Sequence, residues 1–225
     1  MNSEVQFYRV EKFKVVEADG FKLEIPEEWE VVRLGDVALD FKQGFPSGKR
    51  DDNGILQLRM DSIETNGKIN PKGGVKVPPP KNVHEYLLKP GDILFNNTNS
   101  VDLVGKTALF KGEFEKCVFS NHLTRIRVNT LKLIPEFLLY ILLKYWQMRI
   151  FKALCNPHVH QAGIKSKDIQ NLKIPHPPLH EQRKIAEILS KWDEVIEVKK
   201  AKKERLERMK KKVMELLLTG KVRVK

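Results

Sequence analysis

Three polar stretches carry the side chains best suited to chemistry. Residues 41–48 hold two glycines and a proline with Lys42, Gln43, Lys49 and Arg50 around them, and read as a mobile basic loop. Residues 96–100 add Asn97, Asn99 and Ser100, and residues 156–163 add His158, His160 and Gln161. In a major groove, Arg or Lys pairs with guanine and Asn or Gln with adenine, so these are the residue types that choose bases. Arg59, Arg125 and Arg127 fall on expected strands, as phosphate contacts or as outward solvent positions. For every one of these residues, an ordinary polar loop or strand surface is the competing reading.

Other chemistries find less support. His158 and His160 form a pair with no third ligand close in sequence, which is short of a metal site. Cys117 and Cys155 are too few for a disulfide scaffold and lack metal spacing. Asn156-Pro157-His158 is missing the second proline and the aromatic of the Asn-Pro-Pro-aromatic motif of adenine methyltransferases. No Gly-rich cofactor loop follows a strand. Without a nucleophile–base pairing, a P-loop or an acidic cluster for magnesium, the expectation is a chain that has no catalytic residues, metal or cofactor of its own.

The formal charge of +12 over 225 residues favours a polyanionic partner, nucleic acid being the commonest. Residues 180–225 hold 15 Lys and Arg against 8 Asp and Glu, so the tail supplies more than half of that charge. A Lys-rich protein with no such partner is the plainer alternative. The first residues are polar and mixed in charge, unlike a signal peptide, and no apolar stretch approaches the 18 residues of a membrane span. A cytoplasmic protein is expected.

The elements that must position these loops are mostly strands. Residues 1–24 alternate loosely through Val5, Phe7, Val10, Phe13 and Val15, as a strand or an irregular arm. Trp29, Val32 and Leu34 read as core, and 34–39 as a short helix. Residues 55–60 alternate as a strand, Asn66-Gly67 marks a tight turn, and Pro90-Gly91 turns into a buried strand at 93–95. Strands at 106–110, 117–120 and 122–128 follow. Pro135 suits the first turn of a helix expected over 136–154. The globular part is therefore α+β with a mostly antiparallel sheet, spanning 1–179.

From residue 180 to 219 nothing interrupts a helix of about 60 Å. With Ile185 at an a position, a falls on Ile185, Trp192, Lys199, Leu206 and Val213. The d positions are then Ile188, Val195, Lys202, Met209 and Leu216. Eight of the ten are apolar, so the seam needs a second helix to cover it, and 180–225 reads as a dimerising coiled-coil helix. Lys199 and Lys202 interrupt the seam as a bend, a register device or a docking place. The charge run 199–212 reads as a solvated face more readily than as a phosphate contact.

Four stretches together resemble the specificity subunits of Type I restriction–modification systems. They are Ile25-Pro26-Glu27-Glu28-Trp29 through Val37; Leu88-Lys89-Pro90-Gly91-Asp92-Ile93-Leu94-Phe95; Ser120-Asn121-His122-Leu123-Thr124-Arg125; and Ile174-Pro175-His176-Pro177-Pro178-Leu179-His180-Glu181-Gln182-Arg183. The last is similar to the P-P-L-x-E-Q sequence that opens the family's spacer helix. The resemblance covers nearly the whole chain, as one target-recognition domain and one spacer helix. A usual member holds two of each, so this chain resembles half of one.

The resemblance implies a non-catalytic subunit that reads double-stranded DNA. It also implies methyltransferase subunits that bring S-adenosylmethionine and methylate adenine, joined in some assemblies by a restriction subunit. A half-length chain restores the twofold shape by homodimerising, and a dyad pair would read a split palindromic site. Two rivals stay open at this point: a stand-alone DNA-binding regulator dimerised by the helix, and a half-subunit that exchanges into another specificity subunit.

Overall fold

The computed structural model describes residues 12–18, 20–157 and 161–224. Val5, Phe7, Val10, His158 and His160 lie outside the described residues. Two compact units divide between Arg183 and Lys184.

In the first unit the early strands are β1 (Phe13–Ala18), β2 (Phe21–Pro26), β3 (Glu30–Arg33), β4 (Ala38–Gln43), β5 (Ile55–Leu58) and β6 (Val75–Val77). Next come β7 (Ile93–Asn96), β8 (Thr98–Asn99), β9 (Thr107–Leu109), β10 (Cys117–Phe119) and β11 (Leu123–Val128). The last are β12 (Asn156–Pro157), β13 (Ala162–Gly163) and β14 (Lys173–His176). The helices are α1 (Leu34–Val37), α2 (Val83–Tyr86), α3 (Pro135–Gln147), α4 (Ile150–Leu154), α5 (Ser166–Asn171) and α6 (Leu179–Leu218).

The central sheet runs β4-β11-β7-β9, antiparallel throughout. All four residues of β7 are buried, and so are the three of β9 and of β10. Strands with no polar alternation are what a sheet covered on both faces requires. A second sheet, β10-β5-β6, contains a parallel pair, β10 with β5. Its inner face packs Leu58, Phe119 and Cys117 with Leu94, Phe110 and Leu123 of the central sheet. The α+β, mostly antiparallel fold expected from the pattern is what forms.

Local differences have local causes. The helix expected over 136–154 breaks in two. Arg149 takes φ 64°, the only non-glycine at positive φ among the described residues, and chain direction changes there between α3 and α4. Leu34 is fully buried, but Trp29 and Val32 are only half-buried, because β3 pairs with β14 in a two-stranded sheet of its own. The short helix at 34–39 ends at Val37, where β4 takes the chain into the central sheet. Gly105 (φ +84°) lies so close to Phe151 that an added Cβ would meet the ring at 2.4 Å. A glycine is therefore needed where the 100–106 turn meets α4.

The helix α6 carries the seam. Trp192, Val195, Leu206, Met209 and Val213 are all exposed in the single chain, as are Ile196, Met214 and Leu217. Ile185, Ile188 and Leu216 are half-buried. Its charged residues pair along the same helix, Lys191 with Glu187 at 2.6 Å and Lys200 with Glu197 at 3.2 Å. Such exposed pairs, screened by water and salt, add little stability. An apolar stripe left in water is the larger effect.

Candidate nucleic-acid interface

The three polar stretches arise from different parts of the chain, and the fold brings their roots together. Strand β13 pairs with β8 on one side and with β12 on the other, so Asn156–Pro157 and Ala162–Gly163 form a small sheet with Thr98–Asn99. Gln43, the last residue of β4, pairs with Thr124 of β11 beside them. A cleft of about 340 Å³ opens where these ends meet. Gln43, Thr98, Asn156, Gly163, Lys165 and Ser166 line it, over a floor that includes Asn97 and Thr124.

Asn97 holds that floor together. It is 5% exposed, and its Nδ2 donates to Thr124 Oγ1 at 2.9 Å and to the Asn121 carbonyl at 3.3 Å. Its Oδ1 accepts from Thr98 Oγ1 at 2.9 Å, and its backbone carbonyl accepts from Ile164 N at 2.9 Å. A side chain this committed is scaffold. Gln43 is different: it is exposed, and its Nε2 donates to the Asn121 carbonyl at 2.8 Å. An amide has one oxygen acceptor and two hydrogens, so Oε1 and one N–H remain for a ligand.

The basic loop is less mobile than its composition suggests. Gly44 N donates to Leu123 O and Phe45 N to Phe119 O. Gln57 Nε2 donates to the Phe45 carbonyl at 2.9 Å, and Arg59 Nη2 to the Ser47 carbonyl at 3.2 Å. A Cβ on Gly44 would stand 2.3 Å from the carbonyl oxygens of Phe119 and Ser120, so only glycine allows this approach. Beyond Ser47 the chain is exposed, and Lys49 and Arg50 present charge with no ion-pair partner among the described residues.

The remaining candidates divide between free and occupied groups. Lys42 donates to Glu85 at 2.7 Å and stands 5.1 Å over the Tyr86 ring. That hydrogen bond raises the Lys42 pKa and lowers that of Glu85, so the pair is a mutually stabilised ion pair rather than a free cation. Arg59 is half-buried against the loop root. Asn99 accepts from Ser100 N at 2.8 Å, while Ser100 and Gln161 are exposed. Of the two strand arginines, Arg125 is buried against Asp40 and the Glu85 and Leu87 carbonyls. Arg127 makes a two-pronged pair with Asp92, 2.7 Å for each bond. Both guanidiniums are engaged by groups of the scaffold rather than standing free in solvent.

Thr98, Asn156, Gly163, Lys165 and Ser166 were not among the sequence candidates. Only the pairing of two-residue strands places them, and such short runs leave no periodic signal. Just beyond Ser100, Asp102 accepts from Lys152 Nζ at 2.9 Å and Arg149 Nη1 at 3.0 Å. The Lys152 hydrogen bond, with Arg149 behind it, holds the Asp102 carboxyl below its ordinary range. The 96–104 segment is thereby tied to α4.

Among the described residues no group of three His, Cys, Asp or Glu side chains could hold a metal ion, and no helix is long and apolar enough to cross a membrane. Residues 26–208 match the family profile of the Type I restriction modification DNA specificity domain. The chain belongs to that family. It is similar to a Methanocaldococcus jannaschii chain assigned as the type I restriction enzyme MjaX specificity subunit, 36% identical over 96% of this chain and 50% of that one. From the same organism, the type I restriction enzyme MjaVIII specificity subunit is 35% identical over 90% of this chain and 48% of the relative. A chain solved in work on complex assembly and conformational transition of the type I R-M system superposes with a TM-score of 0.62. It is 26% identical and covers 86% of this chain and 46% of its own length. The specificity-domain chain thus spans about half the length of the curated relatives it matches.

Proposed function

We propose that this chain is a non-catalytic subunit that reads a double-stranded DNA sequence, and that two copies pair through α6 to read a split, palindromic site. Residues 1–179 are the reader and 180–225 the spacer and dimerising helix. Methyltransferase subunits bind the pair, bring S-adenosylmethionine and methylate adenine at the site; a restriction subunit joins where one is present. The cytoplasm is its compartment.

One observation carries the reading: the 40-residue helix α6 bears an exposed apolar seam running from Trp192 to Val213. An apolar stripe of that length in water is unfavourable, and a second identical helix covers it at no cost in new sequence. The reader's exposed cations, Lys49, Arg50 and Lys165, supply salt-sensitive attraction to phosphates, while loop side chains choose bases.

The test is a map of methylated adenines in DNA from cells that co-express this chain with a cognate methyltransferase subunit. A split palindromic motif is expected. A split motif without symmetry would replace the homodimer with a mixed pair. No motif in the presence of an active methyltransferase would overturn the specificity role.

A further inference from the structure

Apart from Ile164, the side chains lining the 340 Å³ cleft are polar. Two amides, Gln43 and Asn156, come from different strands, β4 and β12. Hydroxyls from Thr98 and Ser166 and the ammonium of Lys165 complete it, and no carboxylate lines it among the described residues. A site without an acid and with one cation suits a polyanion, and an amide suits a ligand with adjacent donor and acceptor atoms.

Several groups first suited to reading bases are withdrawn by the fold. Lys42 is paired with Glu85, Asn97 is buried in the cleft floor, and Arg59 is bonded to the Ser47 carbonyl. Gln43 keeps Oε1 and one amide hydrogen, and its other hydrogen is fixed on the Asn121 carbonyl. That bond sets the orientation of the amide before any ligand arrives, which lowers the ordering cost of a two-point contact. Asn156 is exposed, and its strand is joined through β13 to β8. Both amides therefore stand on paired backbone rather than on free loop.

We propose that this cleft is the base-reading site of the domain, with Gln43 and Asn156 as specificity-determining residues for an adenine edge and Lys165 as the neighbouring phosphate anchor. An Asn or Gln amide matches adenine because its oxygen accepts from N6 and its N–H donates to N7. Lys165, a mobile point charge with no ion-pair partner among the described residues, supplies attraction without sequence preference. The inference rests on the DNA-reading role proposed above and adds to it which residues select the base.

The experiment is selection of a randomised double-stranded oligonucleotide library by the full chain, alone and with a cognate methyltransferase subunit. It is repeated with Gln43→Ala, Asn156→Ala and Lys165→Ala, each checked by circular dichroism for the native spectrum. The wild type is expected to enrich a motif containing adenine. Gln43→Ala or Asn156→Ala should relax one adenine position by about 5- to 150-fold and keep the other positions, the range expected of one two-point base contact. Lys165→Ala should weaken all duplexes alike and reduce the salt slope by about one.

If the wild type enriches a motif that both amide variants reproduce with unchanged preference, the base-reading assignment is overturned while the DNA-reading role stands. If Lys165→Ala changes base preference rather than the salt slope, its anchoring role is overturned. If the folded wild type enriches nothing with the methyltransferase subunit present, the DNA-reading role fails, and the inference with it.

Discussion

The indole nitrogen of Trp29 donates to Glu181 Oε2 at 3.0 Å, joining two residues 152 positions apart. Next to it, Gln182 is fully buried and uses its whole amide. Oε1 accepts from Ile134 N at 2.9 Å, and Nε2 donates to the Pro177 carbonyl at 2.8 Å and the Lys132 carbonyl at 3.2 Å. The first turn of α6 is thus part of the globular unit's own hydrogen bonding.

Gln182→Ala should therefore be costly. It strands Ile134 N and the Pro177 carbonyl, while the Lys132 carbonyl keeps His176 Nε2 at 2.8 Å. At about 1–3 kcal/mol for each buried group without a partner, a loss of roughly 2 kcal/mol or more is expected. Glu181→Ala removes one half-exposed acceptor and should cost about 1 kcal/mol. Urea unfolding of both variants checks the order, and equal losses would show that Gln182 does not fasten this joint.

Asn97→Ala tests whether the cleft floor is scaffold. The substitution leaves the Thr98 and Thr124 hydroxyls short of a partner, while the Asn121 carbonyl keeps Gln43 Nε2, and should destabilise by about 1–2 kcal/mol. Stability equal to wild type, measured in the same urea titration, would return Asn97 to the set of free reader side chains.

The sequence stretches that announce the family turn out to bond with one another. Trp29 meets Glu181, Val32 pairs with Ile174, and Thr124 and Arg125 pair with Phe95 and Leu94. They describe the scaffold, and so the fold was legible from them and from the unbroken apolar run of β7. The reader was legible only in part. In sequence Lys42 looks like a reader group and Arg125 like a phosphate contact or an outward position, but Glu85 and Asp40 occupy them, and nothing local signals a partner 43 or 85 residues away. Asn156 and Lys165 gain their place from β12, β13 and β8, whose two-residue pairings exist only by tertiary context. The break at Arg149 was invisible because the apolar spacing continues across it.

Cys117 offers a pH test. Burial pushes its thiol up to about 12 from an ordinary value of 9.0, with Glu113 and Asp92 adding to the effect. Above pH 9 the unfolded thiol ionises while the folded one keeps its proton. Stability is therefore full below about pH 9 and falls by about 1.4 kcal/mol per pH unit as pH rises toward 12. Compared with wild type, Cys117→Ala should lack that part of the alkaline slope. At pH 8 a thiol reagent should label the half-exposed Cys155 in the folded protein and Cys117 only after unfolding. Rapid labelling of both would contradict the burial of β10.

Leu206 and Met209 occupy successive a and d positions of α6 and are 53% and 54% exposed in the single chain. Both belong to the second compact unit, so changing both to Glu should leave the first unit folded. In a paired seam, the same two changes place charge on both helices at neighbouring layers and remove four apolar side chains from the interface. Charges brought together in an apolar seam must be desolvated and repel, which outweighs the modest worth of the exposed ion pairs along the helix. The wild type is expected to sediment as a dimer at micromolar concentration and the double variant as a monomer with an unchanged near-ultraviolet spectrum. A wild-type monomer would remove the homodimer. A double variant that stays dimeric would place the contact elsewhere than this seam.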